Sequence, residues 1–256
     1  HTKYTAMSYN DTPSTFNGTF RSLDWMALTK LYGVNSEYKP GNDVYTFNEL
    51  GGTFIIDGNG EDMINVAASA YDVFIDLRSG THSYQGKKSA LITAQNQLTI
   101  SHGSKIENVK TGSGDDTIIG NQFSNRIISA AGDDVIFAGE GEDVVYPGPG
   151  YNIIDLSEDQ QVPDILVLEQ EDESEFFETI YGFAQGDLGD IIDITDFNIP
   201  LVEILPVVDL LRVPSGYIDD CLVKLFGEGL NDPTVLYSFF KEGNILEDLK
   251  LSNEKQ

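Results

Sequence analysis

Residues 111–155 read TGSGDDTII, GNQFSNRII, SAAGDDVIF, AGEGEDVVY and PGPGYNIID, five nonapeptides set end to end without a gap. Their eighth position is Ile118, Ile127, Ile136, Val145 and Ile154, an unbroken column of β-branched residues. Their sixth is Asp116, Asn125, Asp134, Asp143 and Asn152. Side chains alternate faces along a strand, so the short stretch ending each repeat turns its apolar member inward, and β-branched residues suit that extended backbone. Glycines at the second and fourth positions permit a tight turn that gathers peptide carbonyls beside the acidic side chain.

If each nonapeptide supplies one loop and one strand, two make a full coil. Loops one, three and five then stack along one edge, and loops two and four along the other. A hard divalent cation such as calcium takes roughly six to eight oxygen ligands, more than one short loop can offer, so stacked loops must share each ion. The strongest expected site lies between Asp116 and Asp134, with the carbonyls of Gly112, Gly114 and Gly132. A second pairs Asp134 with Asn152 and its loop glycines Gly148 and Gly150. The other edge, with Gly139, Gly141 and Asp143, is poorer, because Phe123 replaces a loop glycine and Asn125 replaces an Asp.

Composition agrees with a cation-binding chain. Among 256 residues, 42 are acidic and 15 basic, a formal charge of −27 that repels nucleic acid and anionic membranes alike. No apolar run approaches the ~18 residues of a membrane span, so neither nucleic acid nor membrane insertion is expected. The single cysteine, Cys221, can form no internal disulfide and reads as a small buried hydrophobe. Leu23, Met26, Ala27 and Leu31 recur at helical spacing between Ser22, a candidate N-cap, and Gly33, a stop, with Trp25 expected to pack.

The nonapeptides resemble the G-G-x-G-x-D-x-U-x repeat of RTX proteins, a calcium-binding parallel β-helix. Around them, TISHGSKIENVKTGSGDDTIIG at 99–120, FIIDGNGEDMIN at 54–65 and FETIYGFAQGDLGDIIDITDF at 177–197 are similar to the C-terminal roll of serralysin-type secreted zinc metalloproteases. YTAMSY at 4–9 resembles that family's Met-turn, and SLDWMALTKLYGVN at 22–35 the segment closing its catalytic domain. The resemblance runs from about residue 4 to 197 and implies a mainly β chain. Its core is a right-handed parallel β-roll, a calcium-binding β-solenoid, preceded by a short helical segment from a metzincin-like catalytic domain. The implied divisions are 1–35 for that remnant, 36–200 for the roll, and 201–256 for a C-terminal cap or export-signal region.

The resemblance also implies two calcium sites outside the repeats. One takes Lys39 and Gly41 carbonyls, Asp43, Asp57, the Asn59 carbonyl and Asp62; the other takes Gly60, Asp62, the Lys105 carbonyl and Glu107. Met7 would be the apolar floor beneath a zinc ion, and Tyr9 its neighbouring ligand or hydrogen-bond donor. The zinc ligands themselves, an H-E-x-x-H helix, are not in this sequence, whose histidines His1, His82 and His102 are too scattered for helical pairing. Zinc is therefore expected only in a complete parent enzyme, and His82 and His102 read as structural. The chain opens at His1 and reads as part of something longer.

The expected function is the calcium-binding half of a secreted serralysin-like zinc endopeptidase, aiding folding, stability and export, with an upstream catalytic domain or fragment as partner. The alternative is a stand-alone, non-catalytic calcium-binding module of structural, adhesive or inhibitory kind. The family resemblance implies type I secretion to an extracellular, calcium-rich medium. The chain, however, ends SNEKQ and not in the acidic and hydrophobic residues usual for that route.

Overall fold

The computed structural model describes residues 22–159, 162–168, 177–184 and 189–193. The strands at 220–224, 237–238 and 249–250, with positions 177 and 192, are described by backbone alone. These residues are mainly β with one short helix, in two compact units: 22–65 with 74–108, and 66–73 with the described residues from 109 onward.

In the first unit, helix α1 (Ser22–Tyr32) ends where Gly33, at φ 77°, donates its N–H to the Thr29 carbonyl at 2.8 Å, the stop expected of that glycine. Its apolar positions are half-buried at Leu23 and Met26 and exposed at Ala27 and Leu31. Asp24 and Thr29 face inward, whereas Leu31 is 73% exposed and Trp25 stacks on Tyr38 with ring centroids 6.5 Å apart. Strands β1 (Val44–Tyr45), β2 (Thr53–Ile55), β3 (Met63–Asn65), β4 (Val73–Asp76), β5 (His82–Gln85), β6 (Gln97–Ile100) and β7 (Asn108–Lys110) follow, with Val73 of β4 and Val109 and Lys110 of β7 belonging to the second unit. β1 runs parallel to β3, β2 parallel to β6, and β5 antiparallel to β6. Ile55, Ile64, Ile75, Leu98 and Ile100 fill the interior. His82 is held by Thr99 Oγ1 at 2.9 Å and Gln97 Oε1 at 3.0 Å, a structural role as expected.

The second unit is built on the nonapeptides. Its strands are β8 (Thr117–Asn121), β9 (Arg126–Ile128), β10 (Val135–Gly139), β11 (Val144–Tyr146), β12 (Tyr151–Asp155), β13 (Ile165–Val167), β14 (Phe177–Tyr181), β15 (Ile191–Asp193), β16 (Asp220–Lys224), β17 (Tyr237–Ser238) and β18 (Leu249–Lys250). Alternate strands pair in parallel: β8 with β10, β10 with β12 and β12 with β14 form one wall, while β9, β11, β13, β15 and β18 form the other. Ile136 therefore sits between Ile118 and Ile154, and Val145 between Ile127 and Leu166, all fully buried. The eighth-position column is the core.

Coiling continues past the repeats, with longer turns. Val144 pairs with Ile165, and Ile165 with Ile191, after the nine-residue phase has been lost. β16 then runs antiparallel to β14, with Cys221 opposite Ile180, and β17 antiparallel to β16.

Candidate metal centre

Stacking in the second unit depends on carbonyls approaching glycines closely. A Cβ on Gly132, at φ 136°, would meet the Gly114 carbonyl oxygen at 2.3 Å, and one on Gly150, at φ 148°, would meet that of Gly132 at 1.9 Å. Glycine is required in this column both by space and by backbone angle.

The sixth-position side chains bind coil to coil. The amide of Val73 donates to Asp116 Oδ1 at 2.8 Å, that of Asp116 to Asp134 Oδ1 at 2.8 Å, and that of Asp134 to Asn152 Oδ1 at 2.9 Å. Along the opposite edge, Asn125 donates to Asp143 at 2.7 Å, Asp143 to Asp164 at 2.9 Å, and Asp164 to Asp190 at 2.9 Å. The partners separated by two nonapeptides are 18 residues apart, as the coil reading required.

Asp190, at the end of its row, uses both oxygens, the second accepting the Ala184 amide at 2.8 Å, but the other acids commit only one. The second oxygens of Asp116, Asp134, Asp143 and Asp164 are buried and have no protein partner, as are those of Asp62, Glu158 and Glu178. Hydroxyls near the first two are directed elsewhere: Thr111 donates to the Ser129 carbonyl at 2.9 Å and Ser129 to that of Pro147 at 2.7 Å. Leaving an ionised oxygen buried and unpaired is expensive. Burial pushes the carboxyls of Asp134 and Asp164 up to about 7, and those of Asp143 and Glu178 up to about 8, with neighbouring carboxylates adding to the effect. Burial likewise raises Asp116, and Asp190 to about 6. Hard, oxygen-only donors with orphaned oxygens in stacked loops suit calcium.

The repeats also contain amide-closed positions. Asn125 Nδ2 donates to Asn121 Oδ1 at 3.2 Å while its Oδ1 accepts the Asn121 amide at 2.9 Å. Asn152 Nδ2 donates to the Gly148 carbonyl at 3.1 Å and to Glu178 Oε1 at 3.2 Å. Gly139 and Gly141, on the Asp143 edge, are at φ 109° and 103°, the turn conformations the repeat demands.

In the first unit, carboxylate oxygens of Asp43, Asp57 and Asp62 lie within 4.8 Å of one another. The Asp43 amide donates to Asp62 Oδ1 at 2.7 Å, and the Asp62 amide to Glu107 Oε2 at 2.9 Å. Asn59 donates its amide to Asp57 Oδ1 at 3.3 Å. A Cβ on Gly60 would lie 2.4 Å from the Gly41 carbonyl oxygen and 3.1 Å from Asp62 Oδ1, so Gly41, Gly60 and Asp62 converge. Burial pushes Asp62 up to about 6, with the charges of Asp57 and Glu107 contributing. Lys105 lies in the loop that delivers Glu107, whereas Lys39 brings its ammonium to the cluster. Met7 and Tyr9 lie outside the described residues.

Sequence reasoning missed several participants. Tyr45 donates to Asp57 Oδ2. Asp164, Asp190 and Glu178 extend the two edges, and Glu158 accepts the Val162 amide while its other oxygen stays unpaired. The available signal was the acid-x-apolar triplet in Asp164-Ile165-Leu166, Glu178-Thr179-Ile180 and Asp190-Ile191-Ile192, which recurs without glycine-rich turns.

Residues 103–122, 110–145 and 119–154 match the family described as the RTX calcium-binding nonapeptide repeat, whose unit spans four copies. The stacked carboxylate loops are therefore those of an RTX repeat array. Part of the chain is moreover similar to serralysins. It is 31% identical to serralysin from Proteus mirabilis over 146 residues, 49% of this chain and 28% of that protein. With serralysin G from Dickeya chrysanthemi it shares 32% identity over 118 residues, 41% of this chain and 24% of that one. The matched region thus spans about a quarter of either relative.

Proposed function

We propose that this chain is the calcium-dependent roll of a secreted serralysin-like protein, folding when it reaches a calcium-rich medium outside the cell. The observation that carries this reading is the set of buried carboxylate oxygens without partners at Asp116, Asp134, Asp143 and Asp164. Asp116 and Asp134 would hold one ion with loop carbonyls around Gly112, Gly114 and Gly132; a second, between Asp134 and Asn152 at the Gly148 and Gly150 loop, would have to displace the contacts that close the Asn152 amide and would be the weaker. Asp143 and Asp164, with Gly139 and Gly141, would serve the opposite edge, and Asp43, Asp57, Asp62 and Glu107 the first unit.

Bound calcium supplies positive charge between carboxylates that otherwise repel. The chain's own groups do the rest: backbone amides fix one oxygen of Asp116, Asp134, Asp143 and Asp164, glycines bring the loops together, and the isoleucine column excludes water. Ligand binding to the folded state alone stabilises by RT ln(1 + [L]/Kd), about 2.7 kcal/mol per site at a hundredfold excess over Kd. Several such sites exceed the few kcal/mol separating a folded domain from its unfolded state. An acidic chain held unfolded by self-repulsion inside the cell would then fold after export, which suits type I secretion.

Helix α1, with Leu31 and Tyr32 73% and 82% exposed, supports its reading as the end of an upstream metzincin-like catalytic domain, where zinc would belong. Residues 201–256 would cap the roll, for which the antiparallel strand β16 speaks. The test is circular dichroism of the full chain: β signal should vanish in chelator and return with calcium but poorly with magnesium. A spectrum indifferent to chelation overturns the reading.

A further inference from the structure

The acid cluster of the first unit differs from the nonapeptide loops because a lysine reaches into it. Lys39 Nζ lies 3.7 Å from Asp43 Oδ2 and donates to Tyr45 Oη at 2.8 Å, and that hydroxyl donates onward to Asp57. Its ammonium also sits 4.6 Å from the centre of the Tyr45 ring. Among the described residues no lysine or arginine forms an ion pair with Asp116, Asp134 or Asp143. Lys39 itself is held at φ 49°, a left-handed conformation that is costly for a residue with a Cβ.

Charge explains the difference. Three carboxylates offer oxygens within 4.8 Å of one another, so until an ion is bound they repel. The ammonium lies against the most exposed of the three, Asp43. The buried oxygen Asp62 Oδ2, which has no partner, remains for an ion.

We propose that Lys39 is the internal counter-ion of this site and competes with the divalent cation for the Asp43 carboxylate. The inference rests on the calcium reading above and adds a determinant of affinity to it. Without metal, the ammonium lies on Asp43 and, through Tyr45, steadies Asp57, so the cluster stays assembled. When an ion is taken up, Asp43 exchanges the ammonium for the ion and the lysine side chain moves into solvent, to which it is already partly open. The site is thereby weaker, and more readily emptied, than three carboxylates alone would make it.

Terbium is a suitable probe, because a nearby tyrosine sensitises its luminescence and Tyr45 touches Asp57. In the full chain, the luminescence lost in Y45F reports this site. K39M and K39Q should each tighten terbium binding in that component, and calcium's ability to displace it, by about two- to fivefold, the scale of a partly exposed ion pair. In a D43N background the same Lys39 substitutions should make no difference. Unchanged or weaker affinity in both Lys39 variants, with Tyr45-dependent luminescence intact, overturns the counter-ion role and leaves the metal site standing. Absence of Tyr45-dependent luminescence in every chain removes the site and the proposal together.

Discussion

The backbone amide of Asp116 donates to one oxygen of Asp134 at 2.8 Å, and the other oxygen of that carboxylate is buried without a partner. The first contact joins neighbouring coils whether or not metal is bound; the second oxygen awaits a cation. Replacing Asp134 by Asn keeps the acceptor, as Asn152 shows by accepting the Asp134 amide, and removes the charge. D134N should therefore raise the calcium concentration needed for folding about tenfold or more, the effect of losing a few kcal/mol of ion binding. In chelator it should gain about 1 kcal/mol over the natural chain by relieving a buried unpaired charge. Calcium-titrated circular dichroism and urea melts check the two opposite signs.

The pH dependence of the metal-free chain follows from the raised carboxyls. An unfolded Asp titrates near ~3.9, whereas burial pushes Asp134 and Asp164 up to about 7 and Asp143 up to about 8. Between those limits the folded state binds more protons than the unfolded one, so stability falls as pH rises. Thermal melts in chelator should show a higher Tm near pH 4.5 than near pH 8. In calcium the order should reverse, because protons compete with the ion. A metal-free roll that became more stable with rising pH would contradict the burial of these acids.

Ala130 is held at φ 65° in the second position of its repeat, where a glycine is expected. The left-handed region costs a residue with a Cβ roughly 1–2 kcal/mol, part of which glycine returns as unfolded-state entropy. A130G should therefore stabilise the calcium-bound roll by about 0.5–1 kcal/mol, read from denaturant midpoints at constant slope.

Ile136 is fully buried between Ile118 and Ile154. I136A should cost about 2–5 kcal/mol and I136V about 0.5–1.5 kcal/mol, even in saturating calcium. Equal, negligible losses would place the column outside the core.

Asp164 tests whether ion binding extends beyond the nonapeptides. D164N should lower the number of tightly bound calcium ions by one in equilibrium dialysis, with the coil intact because Asn still accepts the Asp143 amide. An unchanged stoichiometry would confine the ions to the repeats.

The coiled core was legible because its two requirements recur at a fixed interval: an inward apolar residue at Ile118, Ile127, Ile136, Val145 and Ile154, and an acid or amide two places before it. Registry then follows from strand alternation alone. Asp164 and Asp190 were not legible, since their coils are longer and lack the glycine turns, so only the triplet survives and its phase is lost. The Asp43, Asp57 and Asp62 cluster emerged from family resemblance, but the role of Tyr45 did not. A tyrosine among hydrophobic neighbours carries no sign in the sequence that its hydroxyl will meet Asp57. The spacing on α1 identified the helix itself but carried no sign of which face the fold turns inward, where Asp24 and Thr29 lie.

The outer acids bond in the opposite sense to the inner ones: the Asp133 amide donates back to Asp115 at 3.0 Å, and that of Tyr151 back to Asp133 at 2.9 Å. Neighbouring turns are thus laced from both directions, like a shoe tied through alternate eyelets. Shearing one coil past the next must strain both sets of laces, giving the tube resistance to sliding that neither set could provide singly.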